Sequence, residues 1–376
     1  MSLSKETSIP SGPAASAAGR QSEAAGSPAT PSLSIQNLTV EFRTPEGTVR
    51  AVDDVSFDVH AGETVALVGE SGCGKTMSAL AVLGLVPAPA GHIAAGRITC
   101  EGRELVGLSN RELRKVRGSL VSMVFQEPAS SLNPVFTVGH QIVGVLRAHD
   151  RSLSRRAAKD RAVELLSSVG VPDADVRARD YPHQWSGGMC QRALIAMAIA
   201  NRPRVLIADE PTTALDVTIQ AQVLEVLEVA RRETGAATLL ITHDLGVVAE
   251  MADRVVVMYA GRVVETATVA EIFHAPRHPY TLGLMASLPR LDSDTRRLVP
   301  IPGHPPHLHR IPPGCGFHPR CHLRQGRSLC AEQVPPLVEV ELGPRRSACH
   351  FHSEMSDEVA VVAEQMGADP TVVTSP

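Results

Sequence analysis

Aromatic side chains are scarce in this chain: Phe, Tyr and Trp together make up 3% of its 376 residues, with a single Trp. A core for a chain of this length, about two domains' worth, must therefore be built from Val, Leu, Ile, Ala and Met. A basic excess is also lacking. The formal net charge is −4, which argues against a nucleic-acid binder, since such proteins present a positive face. No apolar run approaches the ~20 residues needed to cross a bilayer. The N-terminus carries an early Lys5 with no apolar stretch behind it, so it does not read as a secretory signal. These absences point to the cytosol, where disulfides are disfavoured. The seven cysteines are then expected to be thiols or metal ligands.

What the chain does contain changes texture along its length. Residues 1–32 are rich in Ser, Ala, Pro and Gly. They cannot bury enough surface to offset ordering entropy, and read as a disordered tail. Alternating patterns over 34–40 and 51–59 predict antiparallel strands with one polar face. Short continuous apolar runs at 64–68, 205–208, 239–242 and 255–258 predict strands covered on both faces, as in a parallel sheet. Helical periodicity occupies 155–169, 189–200, 218–232 and 245–252, and Ser109 with Glu112 forms a capping-box pattern that starts one more helix. The expected fold class is α/β. Residues 33–275 form a nucleotide-binding domain, with a helical subdomain inserted at about 139–201. A Pro-, His- and Cys-rich extension follows over 276–352, then a flexible tail over 353–376.

Gly69-x4-Gly74-Lys75-Thr76 follows a buried strand and opens a helical run, the context a phosphate-binding loop requires. Glycines at Gly69, Gly72 and Gly74 let backbone N–H groups, including those of Ser71 and Cys73, turn toward a phosphate, and the helix start adds its positive dipole. Lys75 is expected to reach the β- and γ-phosphates and the Thr76 hydroxyl to bind Mg²⁺. Asp209 ends a second buried strand, where its carboxylate can hold Mg²⁺ through water. Glu210 follows it, placed to polarise an attacking water as general base. Paired carboxylates at strand ends also occur as simple caps; the phosphate loop upstream is what gives this pair a catalytic reading. Cys73 lies at a helix start that could favour a thiolate, against the plainer reading of a small filler.

Ser186-Gly187-Gly188-Met189, followed by Cys190-Gln191-Arg192, resembles the ABC signature, normally written Leu-Ser-Gly-Gly-Gln. Trp185 stands in place of Leu and Met189 in place of Gln, both marks of the peptide-importer branch. Read without the family, a hydroxyl and bare amides at a helix start make an anion site or a plain N-cap. The resemblance implies that this site faces the γ-phosphate of a partner subunit's ATP, so that two chains sandwich two nucleotides head to tail. It makes Gln126, in Val124-Phe125-Gln126-Glu127-Pro128, the Q-loop residue that touches Mg²⁺ and the membrane partner. Asp216, after Ala214-Leu215, becomes the D-loop residue, and His243 the switch histidine at the γ-phosphate. One family feature is missing: the neighbourhood of Glu46 and Gly47 has no aromatic to stack on adenine. The nearest is Phe42, so no stacking residue is assigned.

Cys315, Cys321, Cys330 and Cys349 share their region with seven histidines, among them His304, His307, His309 and His318. Four cysteines in a segment with little core of its own suggest a metal centre. Their spacing matches neither paired Cys-x2-Cys zinc modules nor the ferredoxin run, leaving zinc, iron–sulfur and free thiols open. The stretches 301–306 and 312–321, with His278-Pro279-Tyr280-Thr281 ahead of them, resemble the C-terminal extension of oligopeptide and dipeptide importer ATPases. Some members hold a 4Fe–4S cluster on four such cysteines, which the resemblance carries to these four, with Zn²⁺ as the alternative. Together the resemblances imply an ATP-hydrolysing subunit of a binding-protein-dependent di/oligopeptide importer, peripheral on the cytoplasmic face of the membrane. It would work with two integral permeases, a second ABC ATPase (copy or paralogue) and, indirectly, an extracytoplasmic peptide-binding protein. The competing expectations are an importer of nickel or glycosides and a soluble, non-transport ABC ATPase such as an accessory subunit of a phosphonate-cleaving complex. A phosphate-loop kinase is disfavoured by Ser186-Gly187-Gly188 and His243.

Overall fold

The structure is a computed structural model that describes residues 30–126, 131–213, 216–287, 300–324, 326–341 and 344–355. Of the tails expected at 1–32 and 353–376, residues 1–29 and 356–376 lie outside the described residues, as do Glu127, Pro128, Ala214 and Leu215.

Two sheets organise the chain. The first is antiparallel, in the order β2-β1-β4-β5, from β1 (Leu33–Thr44), β2 (Gly47–Val59), β4 (Gly91–Cys100) and β5 (Arg103–Glu104). The second has eight strands in the order β11-β12-β10-β9-β3-β8-β7-β6. Its centre is parallel: β3 (Thr64–Val68) lies between β8 (Ala237–Ile241) and β9 (Arg254–Tyr259), and β7 (Val205–Asp209) between β8 and β6 (Val121–Val124). β10 (Arg262–Thr268) closes the core antiparallel to β9.

Every residue of β3, β7 and β8 is buried, and packing on both faces of the sheet explains why such runs are largely apolar. Val65, Leu67, Val205, Ile207, Leu239 and Ile241 pack with the antiparallel sheet in one cluster. The intervening Leu206, Ala208 and Leu240 join a cluster of helical residues, while Ala66 and Val68 pack with Tyr280 and Phe317 from the C-terminal region. With both faces covered, apolar residues dominate these strands, and their polar members, Thr64, Thr238 and Asp209, are buried as well.

Between β6 and β7 the chain is helical, at Val138–His149, Arg155–Ser168, Ala174–Arg177 and Gly187–Ile199. Side chains cap these starts: the Thr137, Ser154 and Ser186 hydroxyls each accept the third backbone N–H of their helix. The Ser109–Glu112 capping box forms in full. Trp185, the departure from the usual Leu, is 8% exposed and fills this helical core.

The C-terminal extension is joined to the core more closely than its irregular sequence suggests. β11 (Val338–Glu339) pairs with β12 (Arg346–Ser347), and β12 pairs with β10, so the extension lengthens the central sheet at its edge. The expected start of the flexible tail at Ser353 also moves. His352–Glu354 form a 3₁₀ turn, and Met355 is fully buried against Leu282 and Leu323.

Candidate active site

β3 delivers the chain into the loop 69–74, which ends at the helix Lys75–Val82. The glycines are sterically required. A Cβ at Gly69 (φ +150°) would lie 2.2 Å from the Met258 carbonyl oxygen, and one at Gly74 (φ +107°) 2.4 Å from that of Ala51. The loop is thus held close against the backbones of β9 and β2. Lys75 is 5% exposed, and its Nζ donates to the carbonyls of Gly69 (2.7 Å) and Glu70 (3.0 Å). Cys73 is buried, and burial pushes its thiol up despite the opposing pull of Lys75. The thiolate reading of its helix-start position is therefore not supported; Cys73 is a filler under Gly69.

Side chains from four separate segments converge beside this loop. The Thr76 hydroxyl donates to Asp209 Oδ1 at 3.1 Å. Burial raises the Asp209 carboxyl to about 6, with the Thr76 hydrogen bond opposing, Glu210 adding to the rise and Lys75 opposing it. A hydroxyl beside a carboxylate is the hard oxygen set that suits Mg²⁺, so these residues fit that ion. Glu210 follows at φ +45°. Its Oε2 accepts from Gln126 Nε2 (2.9 Å) and Thr213 Oγ1 (2.8 Å), and its Oε1 lies 3.3 Å from His243 Nδ1. Gln126, Glu210 and His243, spread over more than a hundred residues of chain, thus form one contact network. A carboxylate oriented by three side chains is fixed to accept a proton from a water placed before it.

The remaining predicted residues gather elsewhere. Ser186 and Gly187 are exposed at the start of their helix, Gly188 is buried, and Met189 is half-buried. Asp216 caps the helix Val217–Thr234 by accepting from the Ile219 amide at 3.0 Å. The two helices pack together, with the Gly188 Cβ position 2.6 Å from Ile219 Cγ2. No hydrogen bond among the described residues joins Glu210 to Ser186 or Asp216, but Asp216 lies three residues beyond Thr213, and Gln220 of the helix it caps donates to Asp244 beside His243 at 3.0 Å.

Two side chains that sequence reasoning left without a role act on the phosphate loop itself. Arg320, 6% exposed, makes a bidentate ion pair with Glu70 (2.6 and 2.9 Å), and the Glu70 amide donates to the Tyr280 hydroxyl at 2.8 Å. Both lie in quoted stretches of the extension, but no local signal links position 320 to position 70.

Cys315, Cys321, Cys330 and Cys349 line one small cavity of about 20 Å³ together with His278, and none forms a disulfide. Burial raises all four thiols, Cys321 to about 11 and Cys349 to about 12. Among the described residues no three Cys, His, Asp or Glu side chains already stand at metal-holding spacing. The donor set suits a thiophilic metal; the present spacing does not close on one. A cavity of about 810 Å³ lies between the β1–β2 sheet, β10 and the extension, and includes none of the phosphate-loop residues.

This fold and this grouping of side chains define an ABC-type ATPase cassette. Comparison with known proteins agrees: the chain matches the ABC transporter family over residues 52–213 and the oligopeptide/dipeptide transporter C-terminal region over residues 264–330. It is 52% identical to the dipeptide transport ATP-binding protein DppD of Bacillus subtilis (strain 168), covering 88% of this chain and 97% of that one. To the oligopeptide transport ATP-binding protein OppD of the same organism it is 50% identical, covering 82% and 86%. Among solved structures it resembles a dimeric ATP-binding cassette in a post-hydrolysis state bound to ADP and Pi, with a TM-score of 0.57 and 27% identity over 63% of this chain and 98% of that one. The chain belongs to the family of ATP-binding subunits of oligopeptide/dipeptide ABC transporters.

Proposed function

We propose that this chain energises import of di- or oligopeptides, as one half of a head-to-tail nucleotide-sandwich dimer docked on separate membrane permeases. The observation that carries the reading is the Gln126–Glu210–His243 network beside Thr76 and Asp209, in a chain whose relatives are named for dipeptide and oligopeptide transport. Lys75 and the loop amides of Gly69 to Gly74 hold the phosphates. Thr76, Asp209 and Gln126 hold Mg²⁺, which neutralises charge on the phosphates. Glu210 takes the proton of the attacking water, and His243 contacts the γ-phosphate. Ser186 to Met189, with Asp216, serve the partner's nucleotide. No helix among the described residues is long and apolar enough to cross a membrane; in this reading the permeases are separate chains and the subunit works on the cytoplasmic face.

The working division is an ATPase domain over 33–275 with its helical subdomain at about 139–201, and an extension from 276 that runs through Met355. The four thiols of the extension hold a metal centre whose role is to stiffen a segment with little core of its own. A 4Fe–4S cluster is the reading the family favours. A single Zn²⁺ on the same thiols is the alternative.

The test is to tag the chain, extract native membranes anaerobically in mild detergent, and identify what co-purifies. Two polytopic permeases and a second ATPase support the importer, and a soluble assembly without permeases overturns it. Iron with inorganic sulfide supports the cluster, zinc the single ion, and neither metal overturns both.

A further inference from the structure

We propose that residues 305–309 of the C-terminal extension form one wall of the subsite for the nucleotide's base, so that adenine is held between the extension and the core. The inference deepens the nucleotide-site reading above and rests on it.

A cavity of about 390 Å³ adjoins the phosphate loop, lined by loop residues 70–73, by Val49, Tyr259 and Ala260 of the core, and by 305–309 of the extension. Its position relative to the chemistry sets its use. The terminal phosphate belongs at Thr76, Asp209, Glu210 and His243, and none of these lines the cavity. A nucleotide with its phosphates in the loop and its γ-phosphate at that end directs its nucleoside away from those residues, and the cavity lies beside the loop and clear of them.

The lining suits a flat heteroaromatic ring. Val49, Ala260, Pro305, Pro306 and Leu308 supply aliphatic surface, and His307 and His309 supply imidazoles that can stack on a base or bond to its edge. The hairpin itself offers no such ring. Phe42 is committed to the antiparallel sheet, with its ring edge 2.7 Å from the Cβ position of Gly91, and does not line the cavity. The extension wall is also fixed in place. Arg320 bridges Glu70 of the loop and the Pro302 carbonyl (2.9 Å), and the turn Leu308–Arg310 packs on β2. A wall anchored at both ends binds a base without a large ordering cost.

The experiment is photolabelling of the full chain with 8-azido-ATP and mapping of the labelled peptide. Label within 304–310 is the expected result; label confined to the β1–β2 hairpin overturns the proposal. As a second measurement, His307 and His309 are both exposed, so a His307→Ala, His309→Ala double variant should fold. It should bind ADP roughly tenfold more weakly with pyrophosphate binding unchanged. Equal loss for both ligands, or loss for neither, overturns the wall. Failure of the unmodified chain to bind pyrophosphate or ADP at all would instead sink the nucleotide site on which the wall depends.

Discussion

Glu210 occupies the left-handed region at φ +45°, an unfavourable place for a non-glycine residue that the surroundings must enforce. They do so through its amide, which donates to the Ile241 carbonyl at 2.8 Å, and through the contacts of its carboxylate with Gln126, Thr213 and His243. Glu210→Gln keeps the shape and removes the base. Turnover should fall by about 10²–10⁴-fold while ATP stays bound and the dimer closed; phosphate release and retained nucleotide measure the two, and turnover within a few-fold of the parent would refute the assignment. Its neighbour Asp209 carries the clearest pH signature. Its carboxyl is raised from 3.8 to about 6, so between those values the folded state holds more protons than the unfolded one. Stability therefore falls as pH rises through that window, and the cost of about 3 kcal/mol is complete above it. Without nucleotide and Mg²⁺, Asp209→Asn should raise the denaturation midpoint at about pH 7.5, with the gain shrinking toward about pH 5. An unchanged midpoint at the higher pH would show that the buried charge is compensated by something other than Thr76 and Lys75.

At the scale of elements, the signature helix and the helix that Asp216 caps behave as one unit because Gly188 allows them to touch. A methyl at position 188 would sit 2.6 Å from Ile219 Cγ2, so Gly188→Ala should cost about 1–3 kcal/mol. Ile219→Ala in the same chain should recover part of that loss. A denaturant double-mutant cycle reads the coupling; strictly additive losses would mean that the two helices do not meet there. Two helix starts were legible: Ser109 and Ser186 each cap the helix that follows, since a cap is a local bond over three residues. Thr137, Ser154 and Asp216 do the same without having been read as caps. The largely apolar strands were legible for a similar reason, although their neighbours in the sheet were not.

For the whole molecule, the junction between core and extension matters most. Arg320 and Glu70 are 250 residues apart in sequence and form a bidentate pair with the arginine almost wholly buried. Arg320→Met should destabilise the chain by about 1–3 kcal/mol, less than a fully buried pair would cost because Glu70 keeps contact with water. The loss should shrink in a Glu70→Gln background, and unfolding midpoints of the four proteins measure it; equal losses in both backgrounds would remove the pair as the link. The sequence by itself determined the phosphate loop, the carboxylate pair, the strand and helix types and the four thiols. Each of these is written in contiguous residues whose chemistry or periodicity is local. Only the tertiary structure decided that Gln126, Glu210 and His243 share one network, that β12 extends the central sheet, and that Arg320 and Tyr280 hold the phosphate loop. Those pairings depend on the crossing of distant segments, and a buried ion pair formed across the fold leaves no mark on the residues beside either partner.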